Sequence, residues 1–280
     1  MNISNIIKEI EKVDPDVYER LDTRRSAMKS FAGMSGKIAL AAIPLALGSM
    51  FQRAYAGNTG TTDSVTDILN YALTLEYLEA EFYADGVAAM GLIPAGDAMT
   101  GLQLIAKHEA AHVAFLKTAI TGAGGTPVTK PSFDFTAGGL FSNVFSNFET
   151  FLAVAQTFED TGVRAYKGRV AEIVGGGDYL TAALRIHSVE ARHAAHIRSL
   201  RKAYGSGVGN IKPWITGKMS GINSSAVQPS YDGEDLTVQA TINIVNLNGF
   251  NISADAASEA FDEPLSKEQV LAIVKPFFKA

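Results

Sequence analysis

Two stretches place a histidine three residues after a glutamate, Glu109-Ala-Ala-His112 and Glu190-Ala-Arg-His193, and nothing else in the chain restricts the fold as strongly. At about 100° per residue, a three-residue step leaves both side chains on one helix face, about a turn apart and within reach of a common metal. Each stretch follows a segment of matching content. Thr74-Leu75-Glu76 corresponds to Thr157-Phe158-Glu159, and a tyrosine follows each glutamate by seven residues, at Tyr83 and Tyr166. From Glu76 to Glu109 is 33 residues and from Glu159 to Glu190 is 31, so the chain carries two copies of one helix-pair unit. Seven residues return a helix to nearly the same face, and each tyrosine is expected to point where its own glutamate points. All five histidines, His108, His112, His187, His193 and His196, fall in or beside these stretches.

The helices can be placed from their stripes and caps. Ser64 or Asp67 caps a first helix running to about Ala89, with Ile68, Ala72, Leu75 and Phe82 in an apolar stripe. Glu76 and Glu79 fall inside that stripe, where a surface helix would keep apolar residues. Asp97 caps a second helix to about Ile120, a third runs from about Leu140 to Ile173, and Asp178 caps a fourth reaching Tyr204. Thr121 to Gly139 is a long Gly/Pro-rich connection. A helix of about 24 residues is about 36 Å long, and some 18 extended residues span about 60 Å, enough to return along the bundle. The expectation is an all-α four-helix bundle with a long crossover between helices 2 and 3, not an up-down-up-down bundle with short loops. Residues 205–280 turn to Gly, Ser, Asn and Thr. A weak strand at Leu236–Ile244 and a capping box at Ser266-Lys-Glu-Gln269 opening a short final helix are expected there, in an extension wrapping the bundle.

Four carboxylates in an apolar bundle would cost several kcal/mol for each unpaired ion, and two divalent cations would balance them. Carboxylate and imidazole together suit iron or manganese, and two such ions about 3.5–4 Å apart can share bridging carboxylates. Residues 64–204 resemble the ferritin-like superfamily, especially exported ferritin-like proteins related to plant desiccation-associated proteins. Leu75-Glu-Tyr-Leu-Glu-Ala-Glu-Phe-Tyr83 is similar to their first-helix signature, and the Glu and Tyr spacing to rubrerythrin. The resemblance implies a di-iron site, or manganese in its place, bridged by Glu109 and Glu190. Glu76 and Glu159 would be terminal carboxylates, and His112 and His193 would each bind one metal. Tyr83 and Tyr166 would donate to carboxylates, with a redox role standing beside the plainer one of core aromatics. Implied partners are dioxygen or peroxide and an unidentified electron donor, and a homo-oligomer is among the assemblies allowed. The chain has no cysteine, so it departs from rubrerythrin in having no rubredoxin-type iron centre.

Other readings compete. Glu79 rivals Glu76, which is favoured because only Glu76 has a partner in the repeat; Glu81 and Asp160 are expected to face solvent. His108-Glu-Ala-Ala-His112 matches the zinc-protease pattern, but the second copy has Val189 in place of the first histidine. A non-enzymatic stress protein using the metals only as a staple is a third reading. A net charge of -5 without a Lys/Arg cluster argues against nucleic acid. At the N-terminus, Thr23-Arg-Arg-Ser-Ala-Met-Lys29, the apolar run Ile38–Phe51 and Ala54-Tyr-Ala56 resemble a twin-arginine export signal. Cleavage after Ala56 would leave a periplasmic or extracellular protein with 16 basic and 23 acidic residues; an uncleaved signal would anchor it to the membrane. The expected organisation is therefore residues 1–56 as export region, 57–204 as bundle and 205–280 as extension.

Overall fold

A computed structural model of the chain describes residues 63–173, 176–206 and 209–279. The export signal and the short amphipathic turn expected near the N-terminus lie outside them. Four long helices dominate the described residues: α1 (Val65–Ala88), α2 (Asp97–Gly122), α3 (Phe148–Val170) and α4 (Asp178–Tyr204), followed by the short α5 (Ala254–Ser258) and α6 (Lys267–Val274). No helix among them is long and apolar enough to cross a membrane.

Local chemistry explains the boundaries. At α1, Ser64 accepts from the Asp67 backbone N–H at 3.2 Å while Asp67 accepts from the Ser64 N–H at 3.0 Å, a closed capping box. At α2 and α4 the cap is not the expected aspartate but the glycine before it. Gly96 (φ 101°) and Gly177 (φ 55°) take left-handed turns that other residues resist, leaving Asp97 and Asp178 as first helical residues, where their charge still suits the helix dipole. The third helix starts eight residues later than its pattern suggests. Asn147 caps it, accepting from the Thr150 N–H at 2.9 Å, while residues 141–146 form turns that bury Phe141 and Val144. Their three-residue spacing imitates a helix stripe. The strand expected over 236–244 is instead a small hairpin, β1 (Val238–Gln239) against β2 (Ile242–Asn243), turning through Ala240 and Thr241 at positive φ. Ala-Thr is not a usual turn pair, so the alternation ran unbroken through it.

α1 packs along α2 and α3 along α4, and the pairs meet through α1 with α3 and α2 with α4. Two sets of contacts fix direction. Tyr83 reaches Glu159 while Tyr166 reaches Glu76, so α1 and α3 are antiparallel. His108 meets His193, and the His196 ring fills the space a side chain at Gly101 would need, so α2 and α4 are antiparallel too. With α1 and α2 joined by a short turn, α2 and α3 must run parallel, and the connection 123–147 has to climb the bundle. It does so along α1: Asn70 holds Val128 and Thr126, and Lys130 pairs with Glu81, before Phe133 and Phe135 enter the core beside Phe82 and Phe158.

The C-terminal residues close the far side of α3. The Leu265 backbone crosses α3 where Gly168 leaves room, and the Asp134 N–H donates to Phe277 at 2.8 Å, tying the chain end to the crossover. Beneath this strap, buried Arg164 donates to Ser230 and Asp232 carbonyls (2.7 and 2.9 Å) and pairs with buried Glu234 at 2.8 Å. Arg198 grips Asp160 through two bonds, 3.0 and 2.5 Å, and Tyr231 donates to the same carboxylate at 2.9 Å. Asp160, expected at the surface, is thus buried; the tail supplies the cover that helix periodicity alone cannot reveal. Replacing Arg164→Met strands Glu234 without its partner and is expected to lower stability by about 3–5 kcal/mol in urea denaturation.

Candidate metal centre

The centre sits mid-bundle on the inward stripe of each helix. α2 buries one narrow stripe, Ala98, Leu102, Ile105, Glu109, Leu116 and Ile120, so Glu109 holds a place the helix would otherwise give to a leucine. Glu76, Glu109, Glu159 and Glu190 are each 0% exposed. Around them three groups of ligand atoms lie within 4.8 Å of one another: Glu76, Glu109, His112 and Glu190; Glu109, Glu159 and His193; and Glu79, Glu159 and Glu190. All six residues expected as ligands therefore come together.

The halves of the centre mirror each other. His112 Nδ1 lies 3.1 Å from Glu76, 3.3 Å from Glu109 and 3.3 Å from Glu190. His193 Nδ1 lies 2.8 Å from Glu109, 3.5 Å from Glu159 and 4.0 Å from Glu190. The tyrosines cross between copies. Tyr83 donates to Glu159 at 2.5 Å and Tyr166 donates to Glu76, each serving the other copy's glutamate and not its own. The spacing placed each tyrosine on the right face; the antiparallel pairing of α1 and α3 chose the partner.

The repeat argues for Glu76 over Glu79, yet both are buried, and Glu79 joins Glu159 and Glu190. The sequence held a signal for this. Glu79 lies three residues after Glu76, and the residue three after Glu159 is Gly162, where a Cβ would lie 3.3 Å from Glu79 Oε1 and 3.6 Å from Glu190 Oε2. The missing side chain leaves room for the additional carboxylate. His108 is the other residue that the motifs undervalue: its Nδ1 lies 2.9 Å from His193 Nε2, with the rings stacked. Having turned to His193, His108 shares no ligand group with His112 among the described residues, which counts against zinc held by both. His187 is half-buried and His196 exposed.

Burial and mutual repulsion govern the titration of these groups. Burial first, then the charge of Glu109, pushes Glu76 up to about 8. Burial and neighbouring carboxylates hold Glu79 and Glu190 well above the usual carboxylate range, and burial raises Glu159 as well. Burial opposes a charge on His112, but Glu109, Glu190 and Glu76 prevail and lift it to about 12; His193 rises against burial to about 10 through Glu109 and Glu159. Glu109 feels the same burial, yet hydrogen bonds from both imidazoles bring it down to about 2. Tyr83 and Tyr166 are raised by burial and carboxylate charge, and so stay phenols able to donate.

A ferritin-like domain model matches residues 64–203, half of the chain. The chain belongs to the ferritin-like domain family. Neither the curated proteins nor the solved structures yield a match to it. Glu109 Oε1, Glu159 Oε2, both Glu190 oxygens and His193 Nδ1 are fully buried, and beyond the carboxylate–imidazole contacts given above, His193 Nδ1 to Glu109 at 2.8 Å and His112 Nδ1 to Glu190 at 3.3 Å among them, they have no hydrogen-bond partner. Such atoms are costly unless something uses their lone pairs, and carboxylate–imidazole clusters suit divalent cations. These buried clusters in a ferritin-like bundle could hold a metal. Glu79 brings the carboxyls to five, so two divalent ions would leave one proton to be retained.

Without metal, the folded centre holds protons that the unfolded chain gives up. Above about pH 7, His108, His187 and His196, whose values are lowered by burial, are neutral in both states, while Glu76, Glu79, Glu190, His112 and His193 keep excess protons in the fold. Stability is then lost as pH rises. Chelator-stripped protein should show a falling Tm between about pH 7 and pH 9, and added Mn(II), which displaces those protons, should flatten the slope.

Proposed function

We propose that the protein is a di-iron carboxylate oxidoreductase, with manganese the alternative metal, that consumes dioxygen or peroxide. The observation that carries this reading is the convergence of two Glu-x-x-His pairs with Glu76 and Glu159, their buried carboxylate and imidazole atoms left facing one another. Glu76, Glu109, Glu190 and His112 would hold one metal, and Glu109, Glu159, Glu190 and His193 the other, with Glu109 and Glu190 shared. Glu79 stands ready as a further carboxylate beside Glu159. Two Fe(II) ions supply two electrons, enough to reduce dioxygen to hydrogen peroxide, or hydrogen peroxide to two waters with two protons.

The protein's own groups do the rest. Tyr83 and Tyr166 orient the terminal carboxylates Glu159 and Glu76 by donating to one oxygen of each, leaving the other for metal. They are also the buried phenols nearest a redox role. The surplus carboxyl proton retained among the five glutamates is available where reduced oxygen needs one. With no cysteine in the chain, electrons would come from the iron being oxidised or from an external donor. The twin-arginine-like signal fits this reading, since such export carries folded, metal-loaded proteins across a membrane to the periplasm or beyond.

Full-length protein is expected to bind two metals per chain and to oxidise Fe(II) in excess of its own sites, while a Glu109→Ala, Glu190→Ala double variant falls to the uncatalysed background. Wild type holding fewer than one metal per chain would refute the di-metal centre. Two bound irons that consume no oxidant would make the site a structural staple in a stress-linked protein.

A further inference from the structure

The duplicated unit should give two equivalent metal positions, but it is broken in two places, both on the same side. The first is His108. Its Nδ1 meets His193 Nε2 at 2.9 Å, the ring centroids 5.2 Å apart and the planes 12° from parallel. In the other copy the residue before the glutamate is Val189, which has no acceptor, and no imidazole partner reaches His112 Nε2 among the described residues. The second is Glu79. It shares Glu159 and Glu190 as neighbours, whereas its counterpart, Gly162, brings no carboxylate toward Glu76 and His112.

Both breaks favour the same metal. Nδ1 of His193 faces the carboxylates, so a metal bound there leaves the ring proton on Nε2, which donates to His108 Nδ1 and places the His108 proton on its own Nε2. A hydrogen bond that a ligating imidazole donates from its far nitrogen fixes its tautomer and orientation and raises its basicity. Glu79 adds a further oxygen donor on that side, within 4.8 Å of Glu159 and Glu190. Exposure differs in the same sense, the His112 side chain being 13% exposed and the His193 side chain 5%.

Resting on the di-metal reading above, we propose that the two positions are inequivalent: the His193 position fills first and retains its metal, the His112 position fills second and exchanges, and His108 is the positioning residue behind the difference. Co(II) titrated into metal-free full-length protein, followed by visible absorption and calorimetry, tests this without reference to turnover. Wild type should bind two cobalt ions in two resolved steps. His108→Val, which copies the other half, should weaken the first step by about 10–100-fold and leave the second unchanged. His108→Asn, whose amide oxygen can stand where Nδ1 stood, should restore it. Adding Glu79→Gly to His108→Val should merge the steps. Two cobalt ions bound in one unresolved step by wild type, or both steps weakened equally by His108→Val, would overturn the inequivalence while leaving the di-metal reading intact. Failure to bind cobalt at all would sink both. Should His108→Val not fold, Val189→His decides the matter from the other side, since it should tighten the second step alone.

Discussion

Five carboxyl groups and two imidazoles lie inside this bundle, and the cost of holding that much charge away from water is the constraint to which the rest of the structure answers. Without metal, the groups meet it among themselves: Glu109 stays ionised between two imidazolium rings while Glu76, Glu79 and Glu190 hold their protons more tightly than free carboxyls do. Divalent ions would replace those protons with charges better matched in number and geometry. Either solution depends on keeping the groups within a few ångströms of one another and keeping water out, which four straight helices do not accomplish alone.

The crossover and the C-terminal strap complete the enclosure. The crossover climbs α1 and wedges Phe135 against Phe82 with Phe133 packed on Phe135, while the strap covers α3 and anchors on Arg164, Arg198 and Arg201. α3 is buried almost all round in consequence. One face presents Glu159 to the centre and the opposite face presents arginine and aspartate to the tail, so the strap and the centre are supported by the same helix. An irregular segment can carry this much polar backbone inward because the arginines satisfy its carbonyls.

Much of the arrangement was legible in the residues. The four helices, the long return between the second and third, the cap at Ser64, the capping box at Ser266 and the six converging Glu and His residues all follow from periodicity, caps and the internal repeat. What escaped did so for physical reasons. Asp160 faces outward on an isolated helix and is buried only because Tyr231 and Arg198 close over it. The turns at residues 141–146 imitate helical spacing because a buried residue every third position serves either conformation. Glu79 was discounted because it has no repeat partner, although the glycine that replaces the partner is what gives it room.

The sequence by itself determined which chemistry the bundle could contain: period and spacing act within one helix, so which acids, imidazoles and phenols share an inward face is a local property of the chain. Tertiary structure alone decided how those faces were matched across the bundle. The antiparallel pairing of α1 with α3 joined each tyrosine to the other copy's glutamate, and that of α2 with α4 set His108 behind His193. Such pairings depend on contacts between residues about 75 to 90 apart in the chain, formed by packing, which no spacing rule within a helix encodes.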